Sequence, residues 1–460
     1  MGRKRQPNQL KLVFPEGAEG ETRSAPERVE PPMATLAVER PATAERRMER
    51  VVEAQNVKEA LRRVQANRGA PGVDGMTVQR LGRYLKQQWP TIREQLLSGT
   101  YRPQPVKRVE IPKAGGGVRV LGIPTVLDRF VQQAILQVLQ PEWDVTFSDH
   151  SFGFRPKRSA HQAVAQAQTY LGEGYGWVVD LDLEQFFDRV NHDLLMGRVA
   201  KRVTDKRLLK LLRAFLNAGM MVGGVVIPRG QGTPQGGPLS PLLANLLLDD
   251  LDRELERRGH RFVRYADDCN LYVHSERAGQ RVMASVTRFL ERKLKLKVNA
   301  EKSAVAQPQQ RKFLGFSFTR EATPRRKLAR QTVERFKREV RRRVRASRGR
   351  SVEQIVRGLT DYLRGWRAYY GFCQTHSELE DLDQWIRRRL RDVAWRHWQR
   401  GKTRYAELRK RGVPPDWAAT TASSPQGPWH LSRSPALTRA FPNAYFAQLG
   451  LLSLAAPNRA

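Results

Sequence analysis

From residue 106 to about 318 the chain alternates short runs of aromatic and β-branched residues with longer stretches of apolar residues at helical spacing. The short runs predict strands over Val106–Ile111, Val118–Leu121, Trp177–Leu183 and Phe313–Phe318, and a hairpin over Phe262–Val273. The periodic stretches predict helices over Val126–Leu139, Ala160–Leu171, Leu208–Asn217 and Pro241–Glu256. Together they predict an α+β core with a largely antiparallel sheet over residues 106–318. Ahead of it, Met48, Val51, Val52, Val57, Leu61 and Val64 begin a helical extension over 43–105, broken at Gly69-Ala70-Pro71-Gly72. Residues 1–42, rich in Pro, Glu, Arg and Ala and poor in bulky apolar residues, read as a disordered tail. Beyond 318 the period is helical again. Val333, Phe336, Val340 and Val344 are followed by Ile355, Leu359, Leu363 and Trp366, then by Leu379, Leu382, Ile386 and Leu390. A helical domain over 319–412, built on three helices, is expected, with an irregular Pro/Ser/Trp-rich tail over 413–460.

Charge adds a partner to this picture. The 460 residues carry 82 Lys and Arg against 46 Asp and Glu, a net charge of +36. Between Arg320 and Arg350 alone, fourteen cations face three anions. A solvated face does not need such an excess, and a polyanion does. Nucleic acid fits better than a membrane surface, because no apolar run has membrane-spanning length and the first residues lack an apolar signal region. Cys269 and Cys373 are the only cysteines, which excludes a disulfide framework and a cysteine-rich zinc module. The expectation is a soluble, cytoplasmic, nucleoid-associated protein with no membrane partner.

The candidate chemistry is acidic. Tyr265-Ala266-Asp267-Asp268 places two adjacent carboxylates at the tip of the expected hairpin. Alone, the tetrapeptide fits a solvated acidic turn as well as a metal site. A second acidic segment, Asp180-Leu181-Asp182, ends the strand that begins at Trp177, and alternation puts its two aspartates on one face. Asp182 together with Asp267 and Asp268 would make an oxygen-only cluster suited to two Mg²⁺ ions.

These segments are in an order that resembles a known family. Leu121-Gly122-Ile123-Pro124-Thr125, Ser151-Phe152-Gly153-Phe154-Arg155-Pro156, Asp182-Leu183-Glu184-Gln185-Phe186-Phe187-Asp188, Gly232-Thr233-Pro234-Gln235-Gly236-Gly237, Arg261–Val273 and Phe313-Leu314-Gly315-Phe316 are similar to the motifs of reverse transcriptase/maturase proteins encoded by bacterial group II introns. The resemblance covers roughly residues 45 to 450. It implies right-hand polymerase fingers and palm over 106–318 and a thumb, or maturase-specific domain, over 319–412. It implies RNA-directed DNA polymerisation with Asp182, Asp267 and Asp268 as catalytic metal ligands. Phe187 matches the gate against a ribonucleotide 2′-hydroxyl. Lys113 and Arg119 match triphosphate-binding cations, Gln235 a residue beside the incoming nucleotide, and Lys302 a lysine suited to protonating pyrophosphate. The implied partners are group II intron RNA, an RNA template with a DNA primer, dNTPs and a DNA target. Asp180 reads as a polar strand residue and His192 as structural. Trp366, Tyr369 and Tyr370 fit the core of the helical domain better than a base-stacking role. The segment from Leu431 resembles the short ending of class C members, which lack an endonuclease. Two alternatives stay open: an RNA-binding splicing factor without polymerase activity, and a host-adopted reverse transcriptase used in defence or diversification.

The charge makes one prediction directly. Affinity for an RNA duplex should fall linearly on a log–log plot against salt, with a slope of about −0.7 to −0.9 per phosphate contacted. Anisotropy titrations across a salt series measure it, and a flat plot would contradict the polyanion reading.

Overall fold

The computed structural model describes residues 46–112, 118–222, 225–227, 230–233, 236–346 and 349–456. The tail expected over 1–42 lies outside them. Ten strands build three sheets among the described residues: β1 (Val106–Pro112), β2 (Val118–Ile123), β3 (Trp177–Leu181), β4 (Met220–Val222), β5 (Val225–Ile227), β6 (Arg261–Tyr265), β7 (Asp268–Val273), β8 (Ala304–Ala306), β9 (Phe316–Phe318) and β10 (Arg326–Leu328). The central sheet has the order β6-β7-β3-β8 and is antiparallel throughout. A second sheet runs β2-β1-β4-β5, with β1 and β4 parallel, and β10 pairs with β9. The expected α+β class with largely antiparallel pairing holds.

Strand alternation decides what each face of the central sheet touches. Val179, Leu181, Phe262, Cys269 and Leu271 enter a core shared with the N-terminal helices and the Ser240–Arg257 helix. Val178, Val263 and Tyr272 enter a second core shared with the C-terminal helices. The sheet is therefore buried from both sides except near its acidic end. Polar caps set where the helices start. Thr125 Oγ1 accepts from Asp128 N at 3.0 Å, and Ser159 and Ser351 each form a capping box with the glutamine three residues on. The N-terminal extension includes Val78–Ser98, whose Leu81, Leu85, Ile92 and Leu96 are buried.

The region after residue 318 contains Arg330–Ala346, Val352–Tyr370 and His376–His397, the three helices expected there, and a shorter fourth helix, Gly401–Lys410. Trp366 lies in its core, packed 4.5 Å from Phe336 between ring centroids, and Tyr369 donates to the Leu314 carbonyl at 2.9 Å. Both contacts place these rings in the packing.

The expectation of an irregular tail from residue 413 is corrected. Pro415–Ser423, Pro428–Leu431, Pro435–Ala440 and Asn443–Gln448 are helical, and Leu437, Phe441 and Phe446 are buried in the core of the C-terminal helices. Three of these helices begin on proline, which lacks only an N–H that the first turn leaves unpaired anyway. Proline that reads as a breaker in sequence is here an initiator. Helices of four to nine residues are also too short to show a clear period. Phe441 is 1% exposed and stacks on Trp398 at 5.6 Å. Phe441→Ala should lower stability by about 3–5 kcal/mol in chemical denaturation, the range for truncating a buried aromatic. A loss within error would place the segment outside the folding unit.

Candidate active site

The acidic end of the central sheet is built by register. Leu181 pairs with Cys269, so the next position brings Asp182 opposite Asp268, with both side chains on the face that carries Asp180 and Asn270. Asp268 also pairs with Tyr265 across the turn, whose Ala266 has a left-handed φ of 60°. Asp267 occupies that turn and lines a cavity of about 550 Å³ together with Phe187, Leu121, Arg129, Phe154 and Gly236. The structure thus brings Asp182 and Asp268 onto one face and sets Asp267 at the adjoining cavity wall. Among the described residues, no three Asp, Glu, His or Cys side chains are gathered into a ready-made cation cage.

Electrostatics at this face are one-sided. Crowding by surrounding protein, followed by the negative charges of Asp267, Asp180 and Asp182, pushes the Asp268 carboxyl up to about 6. Residue 268 is nonetheless exposed at the sheet end. A donor set of oxygens carrying unbalanced negative charge fits a hard divalent cation. Two cations partly offset it. Lys302 Nζ lies 3.7 Å from Asp182 Oδ1, and Arg311 grips Asp180 Oδ2 through Nε at 2.9 Å and Nη2 at 2.6 Å. Asp180, expected to be only a polar strand residue, is therefore one half of an ion pair.

The loop carrying Lys302 is strapped to Asp182. Asn299 N donates to the Asp182 carbonyl at 2.8 Å, and Asp182 N donates to Ser303 Oγ at 3.0 Å. Arg311 Nη2 also donates to the Lys302 carbonyl at 2.6 Å. Phe187 sits on the one-turn helix Phe186–Arg189, edge-on to Phe186 at 5.1 Å. Its carbonyl accepts from Thr233 N at 2.7 Å, which fixes the glycine-rich loop against it. His192 is structural, as expected: it is buried, and Nε2 lies 2.6 Å from the Gly232 carbonyl oxygen. In the same loop Gly236 has φ 138°, and a Cβ there would come within 2.9 Å of the Gly122 carbonyl oxygen. Lys113, Gln235 and the side chain of Arg119 lie outside the described residues.

Beneath the turn lies a group that sequence reasoning missed. Arg264 is fully buried, and each of its five N–H donors has an acceptor. Nε and Nη2 donate to Asp252 at 2.7 and 2.5 Å, and Nη2 also donates to Ser151 Oγ at 2.7 Å. Nη1 donates to Asn245 Oδ1 at 3.0 Å and to the Ala266 carbonyl at 2.8 Å. Arg264 shares its face of β6 with buried Phe262, so a cation on the inward face of a strand was the available signal. Arg129, buried in the cavity wall on the Val126–Asp144 helix, was also missed. Its signal was a charge on an apolar helix face.

An antiparallel sheet with carboxylates at the end of one strand and at the neighbouring hairpin turn, followed by a helical C-terminal region, fits a polymerase of the reverse transcriptase class. The family model for reverse transcriptase (RNA-dependent DNA polymerase) matches residues 111–318, and the group II intron maturase-specific domain matches 333–412. Protein YkfC of Escherichia coli (strain K12) is 35% identical over 314 residues, 59% of this chain and 82% of YkfC. The group II intron-encoded protein LtrA of Lactococcus lactis subsp. cremoris is 28% identical over 323 residues, 56% of this chain and 54% of LtrA. The chain thus spans about half the length of LtrA. Among solved structures, a partial Cas6-RT-Cas1–Cas2 complex aligns at TM-score 0.35 and 23% identity, covering 53% of this chain and 42% of that one. The chain belongs to the group II intron-type reverse transcriptase/maturases, whose catalytic domain is an RNA-directed DNA polymerase.

Removing Arg264 would leave Asp252 buried without its cation. Arg264→Ala should destabilise the protein by about 3–5 kcal/mol. Urea denaturation followed by circular dichroism measures this, and a loss below 1 kcal/mol would deny the network its anchoring role.

Proposed function

We propose that this chain extends a DNA primer on an RNA template, with Asp182, Asp267 and Asp268 holding two Mg²⁺ ions. The observation that carries the reading is the register that sets Asp182 opposite Asp268 on one sheet face beside the Asp267 cavity. Bound there, the ions supply activation of the primer hydroxyl and charge stabilisation at the leaving pyrophosphate. The chain's own groups then have distinct tasks. Lys302, whose ammonium is 3.7 Å from Asp182 Oδ1, donates a proton from Nζ to the leaving pyrophosphate. Phe187 presses on the sugar of the incoming dNTP and excludes a 2′-hydroxyl. Lys113, Arg119 and Gln235 bind that nucleotide's triphosphate and base. The cation-rich Arg330–Ala346 helix, with four arginines among its last seven residues, tracks the backbone of intron RNA during splicing and mobility. A DNA target supplies the primer end.

Primer extension with an oligo-DNA primer on RNA tests the reading. Asp182→Ala and the double variant Asp267→Ala/Asp268→Ala should each lower the rate by about 10³-fold or more. Chelation with EDTA should abolish synthesis, and added Mg²⁺ should restore it. Lys302→Ala should lower kcat by about 10²–10⁴-fold. Equal cDNA yields from the wild type and the double variant would overturn the proposal.

A further inference from the structure

Phe154 is held in a conformation that its own side chain disfavours. Its φ is 60°, in the left-handed region that suits glycine. The residue is 47% exposed and lines the cavity with Asp267 and Phe187. The neighbours impose this. Gly153 packs so closely on the aspartate turn that a Cβ there would lie 2.2 Å from Ala266 N, and its carbonyl accepts from Asn245 Nδ2 at 2.9 Å. On the other side Arg155, 8% exposed, donates to the Ser148 and Ser151 carbonyls at 2.5 and 2.9 Å and pairs with Asp144 at 2.8 Å. These clamps run through residues 153 and 155, and none of these bonds uses the ring between them. Glycine at 154 would satisfy the same backbone with less strain. An aromatic kept in a strained position, half in solvent beside reactive carboxylates, points to a ligand for its face.

We infer that Phe154 is a stacking platform for a nucleobase of the template–primer duplex at its reacting end. The inference rests on the polymerase reading given above. A flat apolar ring accepts the π-face of any base, which suits copying without regard to sequence. Phe154 rides on the aspartate turn through the Gly153–Ala266 contact, the element assigned to the primer end. Phe187 rides on the glycine-rich loop, the element assigned to the nucleotide. The duplex is therefore the partner chosen for Phe154.

Phe154→Gly, Phe154→Ala and Phe154→Trp separate the possibilities. Affinity is read by anisotropy with a fluorescein-labelled DNA primer annealed to an RNA template, without dNTP, alongside Tm and the KM for dNTP. Phe154→Gly should keep or raise Tm, because it relieves the left-handed strain, yet weaken duplex binding by roughly 5- to 150-fold, the span of one base–aromatic stack. Phe154→Ala should weaken binding likewise, and Phe154→Trp should restore it. A lowered Tm with unchanged duplex affinity in Phe154→Gly would make the ring a packing element and overturn the inference. A change confined to the KM for dNTP would overturn it too. The binding assay needs no turnover, so the two readings fail separately. Phe154-dependent binding by a wild type that makes no cDNA sinks only the polymerase. Active wild type with an indifferent Phe154 sinks only the platform.

Discussion

The buried guanidinium of Arg264 is the constraint around which the acidic end of the sheet is organised. Burial alone would lower its pKa, but the charge and hydrogen bonds of Asp252 more than reverse this and keep it cationic. Its five donors reach three separate segments: Ser151 before the sheet, Asn245 and Asp252 on one helix, and the Ala266 carbonyl inside the aspartate turn. Replacing such a pair with apolar residues need not destabilise a protein, so its value here is directional. A hydrophobic cluster at this spot would fill the same space without dictating where the Ala266 carbonyl points. The guanidinium does dictate it, and with it the backbone of Asp267 and Asp268.

The same sheet separates charge by face. Arg264 lies on the face shared with Leu181 and Cys269, under the turn, whereas Asp180, Asp182 and Asp268 project from the other. Repulsion among the carboxylates is balanced only in part, by Arg311 and Lys302. Arg311 reaches Asp180 and the Lys302 carbonyl at once, so the loop after residue 299 is tied to the acidic face at two points. Negative charge is concentrated at this end of the sheet, in a chain whose net charge is +36.

Much of this was legible along the chain. Alternation placed Asp180 and Asp182 on one face, the Asp267–Asp268 pair marked the hairpin turn, and the long helices of the thumb showed their period. The aromatics Trp366 and Tyr369 read as core; Trp366 is buried in it and Tyr369, partly buried, packs against it. The residues beyond 413 were misread because four short helices leave no period, and because the proline that starts three of them is also the residue that ends others. The Asp180–Arg311 pair was missed because its partners are 131 residues apart.

Strand alternation is a local property, dictated by backbone geometry, and so the chain's order of residues suffices to say which aspartates share a face. Helical period is local for the same reason. Which strand lies beside which is not local. That Asp182 stands across from Asp268, that Arg264 reaches Ser151 over 113 residues, and that Phe154 is forced open beside Asp267 follow from packing. Each depends on segments meeting that no short-range preference brings together, and burial of both sheet faces is what brings them there.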